Sequence, residues 1–110
     1  MHALQWLAWF VGGAALANAV PHVVSGVTGR PFQSPFADPP GQGLSSATIN
    51  VLWGFANLVL AYGLLCDVGA FDLREPLDAL AAGLGALAIS LFSARHFGQF
   101  HGGTLPKRHP

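Results

Sequence analysis

Ala47 to Cys66 reads ATINVLWGFANLVLAYGLLC, a run without one charged side chain. Its length matches the roughly 20 residues an α-helix needs to cross a hydrocarbon core. Backbone groups in lipid must be paired internally, and the run lacks the strict alternation of a barrel strand, so it reads as a spanning helix. Along it Asn50, Gly54, Asn57 and Ala61 recur at steps of four, three and four, a small and polar stripe on one face, with Leu52, Phe55 and Val59 on the other side. Asparagine in apolar surroundings needs a partner, so this stripe is expected to pack on another helix or to line a pore. Ser45 or Ser46 is placed to cap the first turn.

Two other blocks share this character. Ala3 to Val20 and Ala79 to Ala94 are also free of charge. The latter reaches spanning length if it begins at Leu77, with Asp78 at headgroup level and Arg95 snorkelling at the far end. The whole chain of 110 residues is 52% hydrophobic and 9% charged, against about 25% charged residues in a soluble domain. That is too little charge to cover a water-facing surface. The expected fold is therefore a single all-α integral membrane domain over 1–110, with three transmembrane helices at about 3–20, 47–66 and 77–94, a long Pro/Gly/Phe-rich loop over 21–46 between helices 1 and 2, and a tail over 97–110. A formal net charge of zero, with no basic face, argues against nucleic acid as a partner. Cys66 is the only cysteine, which excludes an intrachain disulfide. Ala17 and Ala19, followed by Pro21, resemble a signal-peptide cleavage site, but the opening residues MHALQ carry no Lys or Arg, so a retained helix is expected.

The loop is the least ordinary part of the chain. In RPFQSPFADPP the pairs Pro31-Phe32 and Pro35-Phe36 repeat four residues apart. Prolines at this density favour extended and turn geometry, and a solvated connector has no need of phenylalanines. Loops of this length are commonly functional or disordered. The expectation is that it folds back on the helix ends, with Phe32 and Phe36 as its contact residues. Helix 1 offers Ala14, Asn18 and His22 on one face, and Trp6 and Trp9 suit an interfacial belt. Helix 3 is rich in small residues, with Ala79, Ala82, Ala86 and Ser90 at helical steps, and Pro76 stands at the favoured first-turn position.

Orientation follows from the cations. Arg30, Arg95, Lys107 and Arg108 fall on one side of a three-span topology and Arg74 on the other. The positive-inside rule then puts the loop and the C-terminus in the cytoplasm and the N-terminus outside. At that boundary His22, Arg30, Asn50, Arg95, His96 and His101 gather from separate parts of the chain. Neutral imidazoles bind zinc, copper or iron, and histidines from two helices can hold a haem; the arginines suit lipid phosphate. Against a metal, no His-x3-His pair is present. No nucleophile elbow, Gly-rich phosphate loop or pair of intramembrane carboxylates supports catalysis.

The residues thus point to a protein that works through helix–helix association, as a homo-oligomer or as an accessory subunit of a larger membrane complex, with the lipid bilayer and other membrane subunits as partners. A first alternative is an oligomeric channel or transporter lined by Asn18, Asn50, Asn57 and Ser90. A second is a membrane-embedded metal, haem or lipid binder using His22, His96, His101, Arg30 and Arg95.

Overall fold

The computed structural model describes residues 2–103. Three helices dominate it: α1 over His2–Val27, α2 over Ala47–Cys66 and α3 over Pro76–His101. All three are long and apolar enough to cross a membrane. A short antiparallel ribbon, β1 over Phe32–Gln33 and β2 over Leu44–Ser45, lies between α1 and α2, in the register Phe32↔Ser45 and Gln33↔Leu44. Lys107 and Arg108, two of the cations used to assign orientation, lie outside the described residues.

The helix ends are set by local chemistry. α1 runs on through Pro21 to Val27, beyond the uncharged block that ends at Val20, and so takes up the first part of the expected loop. It stops at Gly29, whose φ of 74° is the left-handed conformation that closes helices. There the Arg30 amide donates to the Ser25 carbonyl at 2.9 Å. At the start of α2 the Ser46 hydroxyl accepts from the Ile49 amide at 3.2 Å. Pro76 opens α3, where its missing N–H removes a donor that has no intrahelical partner. α3 also outruns its uncharged block, passing Arg95 to end at Gly102 with φ 82°.

The central helix is α1. Both α2 and α3 pack on it, and they make no comparable contact with each other. The contact surfaces are built from small residues: Ala15, Ala19 and Ala61 are buried, and among the described residues Trp9 is the one large apolar side chain enclosed with them. On the α2 side, a methyl group at Gly54 would overlap Val23, and one at Gly26 would overlap Val51. The four buried residues of α2 are Asn50, Gly54, Asn57 and Ala61. On the α3 side the approach is closer still: a Cβ on Gly85 would collide with the Phe10 carbonyl, and one on Gly13 with the Ala82 carbonyl. Backbone against backbone at this distance admits only glycine.

Trp9 fixes the end of the bundle away from the ribbon. Its Nε1–H donates to the Val68 carbonyl at 2.8 Å, and its ring meets Trp6 and Phe71 edge-on at 5.4 and 5.3 Å. It ties the α2–α3 connection down rather than standing free as a belt residue.

Gly85→Val should therefore undock α3 and lower stability by about 3 kcal/mol or more. Gly63, where an added methyl meets open space, should accept alanine with no loss and a gain of up to about 1 kcal/mol. Unfolding of the detergent-solubilised variants, followed by helical circular dichroism, measures both.

Candidate functional site

The chemistry of this chain is concentrated where α1 ends, α2 begins and α3 ends. His22, Asn50 and Ser34 are the largest fully enclosed side chains among the described residues. Asn50 lies in the first turns of α2. Its Nδ2 faces the carbonyls of Phe32 at 3.1 Å, Ser45 at 3.2 Å and Ser46 at 3.1 Å. With the amide nitrogen committed to carbonyls, Oδ1 is the acceptor, and it lies 2.7 Å from Nδ1 of His22. His22 is thereby fixed as a donor at Nδ1. One amide side chain joins α1, α2 and both strands of the ribbon.

The ribbon is closed from within. The hydroxyls of Ser34 and Ser45 hydrogen-bond each other across it, and the Phe36 amide donates to Ser34 Oγ at 3.1 Å. Beyond it, the Ser34 carbonyl accepts from the Gly41 amide at 2.8 Å and the Pro39 carbonyl from the Gly43 amide at 2.8 Å. Gly41 has φ 73°, and a Cβ at Gly43 would collide with Asp38. The proline-rich segment is thus a folded hairpin tip, its turns supplied by glycine and its proline carbonyls used as acceptors.

α3 holds this hairpin through its two histidines. His96 Nε2–H donates to the Gly41 carbonyl at 2.6 Å, and His101 Nε2–H donates to Gln33 Oε1 at 3.0 Å. Phe32 is half-buried, stacked on the His101 ring at 5.5 Å, tilted against Phe97 at 4.8 Å and edge-on to His22 at 5.5 Å. Phe36 differs: it rests edge-on against Trp53 at 5.1 Å yet is 65% exposed.

Below this network, Asn18 Nδ2 donates to Asn57 Oδ1 at 3.2 Å, while Asn57 Nδ2 donates to the Trp53 carbonyl at 2.9 Å. Asn18, Asn50, Gly54 and Asn57 therefore all lie along the contact of α1 with α2. Ser90 stands apart on α3, beside a cleft of about 420 Å³ that also touches Pro21 and Phe32. Arg30 and Arg95 are exposed. The three histidines do gather at one end, but each has a ring nitrogen bonded to the loop or to α2, and among the described residues no three His, Cys, Asp or Glu side chains converge as a metal site.

Comparison with family models, with curated proteins and with solved structures finds no match. The site is read from its own chemistry.

That chemistry includes a second cleft, of about 280 Å³, floored by Asn18 and His22 of α1, walled by Trp53 of α2 and by Phe92, His96 and Phe97 of α3, and roofed by Ser34, Pro35 and Gly41 of the hairpin. Among the described residues, no side chain with a formal charge lines it. Sequence patterning singles out the histidines and Asn50 but not Ser34, Gln33 or Gly41, which are ordinary loop residues until the ribbon brings them together, and it offers Ser45 only as a helix cap, a role that Ser46 fills. Trp53, within the charge-free run of α2, carries no local signal that it forms a wall of this cleft.

Replacing Asn50 by leucine should leave the buried His22 donor without its acceptor, at about 1–3 kcal/mol for the orphaned group, and take the side-chain amide away from the carbonyls of Phe32 and Ser45. Protease cleavage between residues 30 and 43 should then run at least about tenfold faster than in the parent protein, as it would once local opening became about 1.4 kcal/mol easier. Asn57→Leu, which removes an interhelical bond of about 0.6 kcal/mol, should leave the hairpin resistant.

Proposed function

We propose that this chain is an integral membrane protein that acts through helix–helix association, as a homo-oligomer or as a small accessory subunit of a larger membrane complex. The observation that carries this reading is the exposure of α3. Over its most apolar stretch 6% of residues are buried, against 33% in α1 and 22% in α2. Among the helices, this one of 26 residues packs closely on α1 alone, with the hairpin joined at its end. The rest of its surface includes Gly83, which is exposed with open space where a side chain would stand. Glycine in a helix interior costs roughly 0.5–1 kcal/mol relative to alanine, a cost that a close-packing neighbour offsets.

Membrane insertion is part of the same proposal. Leu4, Leu7, Leu52, Val59, Leu80 and Leu91 are each more than half exposed, an apolar exterior beyond what a water-soluble monomer carries. The hairpin end, with Arg30 and Arg95, is the cytoplasmic end in this reading, and Arg74 lies at the other. The pairing of Asn18 with Asn57 inside the chain supports packing over pore lining for these residues.

Native mass spectrometry of protein released from membranes under mild conditions tests the proposal. The expected result is a mass above the 11.5 kDa chain, either a closed multiple of it or a complex with another polypeptide. Gly83→Leu should weaken that association about tenfold, close to 1.4 kcal/mol, with helical content unchanged. A bare monomer in every mild detergent, with Gly83→Leu behaving identically, would remove the basis of this reading.

A further inference from the structure

The cleft between α2 and α3 has the features of a ligand site, and we propose that it binds a neutral, planar ring bearing a carbonyl or hydroxyl group, of the size of a benzoquinone head group. Four observations define this ligand. The volume of about 280 Å³ falls just under the about 300–1,000 Å³ of sites for drug-sized molecules; a single substituted ring fits, and a haem does not. Because none of the lining residues carries a formal charge, a phosphate or ammonium group would enter without compensation, at a cost that neutral ligands avoid.

The walls are flat. Trp53 and Phe97 both stand edge-on to His22, each at 6.3 Å between ring centres, and Phe92 and His96 stack at 5.5 Å with 6° between their planes. A ring inserted here meets aromatic faces and edges in the offset and T-shaped contacts such groups favour.

The polar groups ask for a partner. Trp53 Nε1–H is buried and has no hydrogen-bond partner among the described residues, although buried indole N–H groups ordinarily find one. His22 donates through Nδ1 to Asn50, which leaves Nε2 as an acceptor, and no hydrogen bond to Nε2 occurs among the described residues. A ring hydroxyl suits the imidazole, and a ring carbonyl suits the indole N–H, which is enclosed behind the cleft wall and is reached when the ligand displaces the side chains around it. His96 is not available in this way, because its Nε2–H is spent on Gly41.

The cleft lies between two helices that do not pack on each other, and its outer wall, Phe92, is 58% exposed. The proposal rests on the membrane reading only for its access route: a lipid-soluble ring with an alkyl tail would reach the cleft from the bilayer, with the tail left between α2 and α3.

The full chain in mild detergent is titrated with a decyl-substituted benzoquinone, and retained ligand is counted by native mass spectrometry. The expected result is saturable uptake of one molecule per chain. Trp53→Phe, which keeps the ring and removes the donor, should raise the apparent Kd about tenfold. Phe92→Ala should raise it too, and the exposure of Phe92 keeps folding out of question. Decylbenzene, with the same tail and no polar group, should bind at least tenfold more weakly. Uptake that rises without saturating, an unchanged Kd in both variants, or equal binding of decylbenzene would overturn the proposal. Copy number is read from the same spectra, so a failure of the association reading is seen separately from a failure of ligand binding.

Discussion

The amide of Asn50 is the constraint on which the rest of this fold depends. Little large apolar surface is buried; among the described residues the enclosed apolar ones are three alanines and Trp9. Helix contacts made through small residues fix distance but do little to select register, since one alanine resembles another. A fully enclosed amide is selective. Its nitrogen meets carbonyls from Phe32, Ser45 and Ser46 and its oxygen meets His22, so any slip of α2 against α1 would strand buried polar groups. The polar network specifies the arrangement, and the small residues permit it.

The same constraint explains why a proline-rich segment is folded. Prolines supply no amide hydrogens, and this hairpin is built accordingly, with carbonyls of Ser34 and Pro39 accepting from Gly41, Gln42 and Gly43. Because α3 reaches it through His96 and His101, the hairpin is, among the described residues, where all three helices are joined by polar contacts. Elsewhere α3 is held by the Phe10–Gly85 and Gly13–Ala82 approaches, which leave most of its surface uncovered.

Much of this architecture is legible in the sequence, for reasons that can be named. Charge-free blocks mark helices because length and apolarity are local properties. The stripe Asn50, Gly54, Asn57 and Ala61 follows from helical periodicity alone, and these are the residues buried in α2. Helix ends are less legible: Pro21 and Arg95 look like boundaries, yet α1 and α3 pass through them, because tertiary contacts at the hairpin hold the added turns. Least legible are pairings across long separations. Nothing near His101 announces Gln33, and nothing near Trp9 announces Val68; such partners are fixed only once three helices have met. The candidate site was legible as a gathering of histidines, whereas its walls and roof came from residues with no local signature.

The polar network also divides along the chain. His22, Ser34, Ser45 and Asn50 all precede α3, so the hydrogen bonds that join the first helical pair to its hairpin are closed among residues 22–50. To that surface α3 adds a glycine crossing and two imidazole clasps. The polar contacts of α3 are thus made to the hairpin, while the hairpin's bonds to α1 and α2 use no side chain of α3.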